Sequence, residues 1–120
     1  MNKRTEKRIP LLTPWIVVDE SNNQPIGYVG DISPHGVLVV MEEAMDAGQI
    51  LDIHIRIPGQ IRIFAAKVKT RWCDSNINPQ LHCIGCCFVE ADEADVAHLL
   101  TLAEAQGQSK DFELHRVAGH

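Results

Sequence analysis

The clearest pattern in the chain lies between Ile50 and Ile57, where Ile53, Ile55 and Ile57 alternate with Asp52, His54 and Arg56. A period of two puts the isoleucines on one face and the polar residues on the other, so this segment predicts a half-buried strand. Pro58-Gly59 marks a hairpin turn, and Ile61 to Trp72 predicts the return strand, with Ile61, Ile63 and Ala65 on one face. The alternation blurs at Ala65-Ala66, where a bulge or twist is expected. Upstream, Thr13 to Glu20 and Ile26 to Ile32 are short, β-branched segments separated by the polar turn material Ser21-Asn22-Asn23-Gln24-Pro25. Ser33-Pro34-His35-Gly36 breaks the second of them, and Val37 to Met41 is a continuous apolar run suited to a strand buried on both faces. A turn follows near Asp46-Ala47-Gly48. The Asn-, Ser- and Asp-rich stretch from Asp74 to Pro79 predicts another turn, and Leu81 to Val89 closes the strand series.

Beyond Val89 the period changes. Val96, Leu99, Leu100 and Ala103 fall on one helical stripe, and Asp92, Glu93 and Asp95 lie at its N-terminal end, where the helix dipole favours anions. Gly107 is the expected stop. The pattern therefore predicts an all-β fold, a small six-stranded antiparallel β-barrel with one C-terminal α-helix covering an open end or a flank. Residues 1–10 form a flexible basic arm, 11–107 the barrel and helix, and 108–120 a tail in which Phe112, Leu114 and Val117 are apolar points for docking.

Charge adds to this picture. The net charge is -5, yet Lys3, Arg4, Lys7 and Arg8 stand against only Glu6 at the start of the chain. A basic arm on an acidic body repels a nucleic-acid polymer but suits a small anion, or is simply a solvated terminus. The 5% aromatic content also argues against a single-strand binder built on stacking platforms. No apolar run approaches the roughly 18 residues of a membrane span, and the charged N-terminus lacks a signal-peptide core, so no membrane insertion and a cytoplasmic location are expected.

Cys73, Cys83, Cys86 and Cys87 are then expected as reduced thiols. Cys83-x-x-Cys86 beside His82 raises zinc, but residues three apart on a strand point to opposite faces, so no metal is expected. There is no nucleophile turn, Walker loop or HExxH, and the histidines are scattered, so the chain is not expected to be an enzyme.

Two pieces carry chemistry: Arg4-Thr5-Glu6-Lys7-Arg8 before the first strand, and Asp31-Ile32-Ser33-Pro34-His35-Gly36 between two strands. Their pattern resembles the PilZ domain family, marked by R-x-x-x-R and then, after a spacer, [D/N]-x-S-x-x-G. Here 22 residues, 9 to 30, lie between Arg8 and Asp31, and every defining position matches. The resemblance, which covers nearly the whole chain, implies a receptor for the bacterial second messenger cyclic di-GMP, with no other cofactor. On ligand binding its N-terminal arm would change conformation and signal to a downstream protein partner.

The chemistry fits that implication. A guanidinium fork matches both phosphate oxygens and the O6/N7 edge of guanine, which suits Arg4 and Arg8. The Asp31 carboxylate accepts from guanine N–H donors, Ser33 can donate or accept, and Gly36 permits a positive φ or close backbone approach to the ligand. Taken singly, Asp31, Ser33 and Gly36 are also ordinary turn residues. Trp72 either stacks beside the ligand or closes one end of the core. Lys3, before Arg4, is compatible with a stacked ligand pair, and His35 either contacts ligand or faces solvent. A PilZ-fold adaptor acting through protein contacts without ligand is the alternative. The oligomeric state stays open between monomer and dimer.

Overall fold

The computed structural model describes the backbone of residues 8–78 and 80–118, and the side chains of residues 8–76 and 80–106. Six strands precede one helix: β1 (Ile9–Asp19), β2 (Gln24–Ser33), β3 (Gly36–Met41), β4 (Ile50–Arg56), β5 (Ile63–Asn78), β6 (Leu81–Ala91) and α1 (Glu93–Ala118). All neighbouring strands are antiparallel, in the order β1-β2-β3-β6-β5-β4. β4 then pairs back onto β1, from Ile16↔Arg56 to Asp19↔Ile53, which closes the sheet into a barrel. Closure removes the free edges that an open sheet would expose.

The interior is filled by alternating side chains, as read from the sequence for β4 but not for β3, which was expected to be buried on both faces. Ile53 and Ile55 are buried on β4, while Val37, Val39 and Met41 point inward from β3, with Leu38 and Val40 half-buried between them. Trp15, Val17, Val29, Ile32, Phe64, Val68 and Ile84 also lie in the core. Each such side chain contributes about 1.5–3 kcal/mol on burial. Ile61 and Ile63 differ from any inward role, being 100% and 48% exposed, because their parity puts Phe64 inside instead.

Turns obey local chemistry. Asn23 (φ 58) closes the β1–β2 turn, and Gly48 (φ 93) and Gly59 (φ 84) occupy the left-handed region that favours glycine in the β3–β4 and β4–β5 connections. Thr70 is buried, and its hydroxyl donates to the Asp46 carbonyl at 2.7 Å and accepts from the Gln49 N–H at 2.9 Å. The backbone of Thr70 also bonds Gly48 and Gln49, so the β3–β4 connection is tied to one residue of β5.

Asp92 caps α1, accepting from the Ala94 N–H at 2.8 Å and the Asp95 N–H at 3.1 Å. Leu99 and Ala103 enter the core, and Val96 and Leu100 are half-buried, as the stripe predicts. The helix leans on β1, where the Gln106 carboxamide accepts from the Leu12 N–H at 2.7 Å and donates to the Thr13 carbonyl at 3.5 Å. Those residues fall in the gap of the β1–β2 ladder between Pro10 and Trp15, so Gln106 supplies bonds that β2 does not.

Several boundaries differ from the sequence reading, three of them by four residues or more. β1 starts at Ile9, not Thr13, because Ile9 and Pro10 pair with Ile32 and Asp31. β5 runs to Asn78 through the stretch expected to be a turn, its polar residues extending a hairpin with β6. α1 continues through Gly107 to Ala118, where a stop and a tail were expected: an interior glycine costs a helix only about 1 kcal/mol, which does not enforce a stop.

Candidate functional site

Pairing of Ile9 with Ile32 and Pro10 with Asp31 brings the end of the basic segment onto the Asp31–Gly36 turn. Arg8 Nη1 donates to Asp31 Oδ1 at 2.6 Å, with the Arg8 side chain 43% exposed. Ser33 is buried, and its hydroxyl accepts from the His35 N–H at 3.3 Å and donates to the Gly36 carbonyl at 3.4 Å. The serine thus shapes the turn from within. The His35 carbonyl in turn accepts from the Phe88 N–H at 2.8 Å, fastening the turn to β6.

Gly36 has a different reason for being glycine than the one its motif suggests. Its φ is not positive; instead a Cβ there would sit 2.0 Å from the Cys86 carbonyl oxygen of β6. The neighbouring strand, rather than a strained turn, requires the missing side chain.

The facing wall comes from β5 and β6. The ladder pairs Thr70 with Cys86 and Trp72 with Gly85, leaving Arg71 as an extra residue on β5. Such a bulge turns a side chain out of the regular alternation. Thr70 therefore points into the core while both Arg71 and Trp72 are exposed. Ala65-Ala66 pair regularly with His54 and Ile53 of β4, but on the β6 side the ladder also shifts between Lys67 and Val68, next to the irregularity expected there, and again between Asp74 and Asn78. The Trp72 indole lies on Gly85, where a Cβ would come within 2.2 Å of the ring, and 45% of the residue stays exposed. Of the two readings of Trp72, closing the core is therefore excluded: it is a shelf outside the barrel.

Between these walls is a cleft of about 310 Å³ lined by Arg8, Ser33, His35 and Gly36 on one side and Arg71, Trp72, Gly85, Cys86 and Cys87 on the other. Arg71 Nη1 approaches the Cys87 sulfur at 3.8 Å. Cys86 faces the interior, and burial pushes its thiol up to about 12. Cys83 is half-buried three residues earlier on the same strand, and burial also raises its pKa. Among the described residues, no group of three or more histidine, cysteine or acidic side chains is arranged to hold a metal ion.

Of the residues singled out from the sequence, Arg8, Asp31, Ser33, Gly36 and Trp72 come together at this cleft, Asp31 through its bond to Arg8. Lys3 and Arg4 lie outside the described residues. Arg71, Gly85 and Cys87 escape the sequence reading, because only the β5–β6 register puts them beside the motif turn.

The family model for the PilZ domain matches residues 2–105. The chain belongs to the PilZ domain family. The likeness of fold extends to the Bacillus subtilis inhibitor of motility MotI/DgrA, with a TM-score of 0.72 and 18% identity over 92% of this chain and 53% of that one. The PilZ domain of Escherichia coli YcgR, solved with c-di-GMP, has a TM-score of 0.69 and 15% identity over 95% of this chain and 98% of that one. A longer YcgR in complex with c-di-GMP has a TM-score of 0.71 and 16% identity over 93% of this PilZ chain and 50% of that chain. This chain therefore spans about half the length of MotI/DgrA and of the longer YcgR. No curated protein matches it. Among the described residues, no helix is long and apolar enough to cross a membrane.

Proposed function

We propose that this PilZ domain is a receptor for cyclic di-GMP and that the cleft between the motif turn and the Trp72 shelf is its binding site. The observation that carries the reading is the Arg8–Asp31 contact, which joins the end of one motif to the start of the other. Arg4 and Arg8 would supply guanidinium forks to the phosphates and the guanine O6/N7 edge, and Lys3 a further cation. Asp31 would accept from the guanine N1–H and amino group, Ser33 and Gly36 would hold the turn against the ligand, and the exposed Trp72 face would stack on a purine. The structural relatives solved with c-di-GMP share this fold, which supports the same ligand here.

The role is binding rather than catalysis. The bound dinucleotide would draw the arm preceding Arg8 onto the turn, and a protein partner would read the altered surface, in the reducing cytoplasm where the four thiols stay free. Isothermal titration with cyclic di-GMP, beside GTP and cyclic GMP, tests the reading. Heat from cyclic di-GMP alone, abolished in Arg8→Ala, is expected; no heat from folded wild-type protein at tens of micromolar would overturn it and leave the adaptor alternative.

A further inference from the structure

We propose that Arg71, which belongs to neither sequence motif, is a phosphate-binding residue of the cleft. The inference rests on the cyclic di-GMP reading and adds to it a residue.

Position is the first ground. Arg71 is the extra residue of the β5 bulge, so it shares the outer face with Trp72 instead of alternating with it. The residue before it is held firmly: Thr70 is buried and bonded through its hydroxyl and backbone to the β3–β4 connection. The bulge is thereby pinned on its N-terminal side, and on its C-terminal side the indole rests on Gly85. The guanidinium is thus presented beside an aromatic shelf, across the cleft from Arg8.

Charge is the second ground. Arg8 meets the Asp31 carboxylate, Arg62 meets Asp95, and Arg56 donates to the Asn23 carboxamide oxygen. Among the described residues Arg71 forms no ion pair, and its contact is a sulfur at 3.8 Å, a weak acceptor. Among the described residues, the cleft therefore has one guanidinium neutralised by a carboxylate and one that is not. A ligand phosphate can pair with Arg71 without displacing a carboxylate. Arg8 becomes available only when its bond to Asp31 is exchanged for ligand oxygens, a replacement that a second cation on the opposite wall favours. A flat guanidinium next to Trp72 can also lie parallel to a base stacked on the indole, so that the phosphate and base contacts share one wall.

The test is calorimetric titration of cyclic di-GMP into wild type, Arg71→Gln, Arg71→Lys and Arg56→Gln at several salt concentrations. Thermal unfolding of each variant serves as a check on the fold, which exposed Arg71 does not support through any strong bond. Arg71→Gln is expected to weaken binding about tenfold or more, the loss of one charge-assisted contact, and to flatten the salt dependence. Arg71→Lys should keep the salt dependence but only part of the affinity, and Arg56→Gln, outside the cleft, should match wild type. Wild-type binding with unchanged affinity and salt dependence in Arg71→Gln overturns the role of Arg71 while leaving the receptor reading intact. Failure of wild type to bind overturns the receptor reading and this inference with it.

Discussion

The two walls of the cleft are built on opposite plans. On the motif side, polar groups satisfy one another: Arg8 holds Asp31, and Ser33 bonds within its own turn. On the β5–β6 side, Trp72 and Arg71 stand exposed, and what holds them is a bulge, a glycine and a buried threonine behind them. Short motifs describe the first kind of wall well, because the Ser33 bonds are local and the Arg8–Asp31 bond joins the two motifs themselves. The second kind depends on which residues of two distant segments lie opposite each other.

The contrast can be tested at several points. The largest effect is expected between the adjacent thiols at the cleft floor. With its pKa at about 12, Cys86 is about one ten-thousandth thiolate at pH 8, so iodoacetamide should modify Cys87 orders of magnitude faster, as read by fragment mass spectrometry. The same group links stability to pH. A raised folded pKa means that stability is fully present below the unfolded thiol value of about 9 and is lost as pH rises from there through about 12. Cys86→Ala should flatten that alkaline limb of a denaturation-versus-pH series.

The glycines come next. Gly36→Ala drives a Cβ to 2.0 Å from a strand carbonyl that cannot move aside, and should cost about 3 kcal/mol in urea unfolding. At Gly85 the atoms nearest to an added Cβ belong to the Trp72 ring, the end of an exposed side chain and not backbone. Gly85→Ala should cost about 1 kcal/mol while changing Trp72 fluorescence and weakening the stacking shelf. Equal losses from the two would contradict the difference between the walls.

Smaller still is Gln106→Ala, expected to cost about 1 kcal/mol through its bonds to the Leu12 and Thr13 backbone, and visible as faster amide exchange at Leu12. Asp31→Asn should change unfolding free energy least, by under about 1 kcal/mol, since the ion pair it weakens is partly exposed. A large stability loss there would mean that the motif wall depends on the ion pair and not on the Ser33 turn.

Hydrophobic periodicity by itself determined the strand of Ile53 and Ile55, the helical stripe of Leu99 and Ala103, and the all-β class with one helix. The two motifs, read as text, also marked Arg8 and Asp31, which the fold brings into contact. These features are local, or require only that two labelled segments meet. Tertiary structure alone decided that Gly36 yields to the Cys86 carbonyl, that Ile61 and Ile63 face outward, and that α1 runs on past Gly107. It also decided that one bulge turns Arg71 out beside Trp72. The physical reason is common to the wall residues: a strand's period states which side chains share a face, but the offset between neighbouring strands sets which face is inside and who stands opposite whom. That offset is fixed by packing and hydrogen bonding across the closed barrel, between residues far apart in the chain.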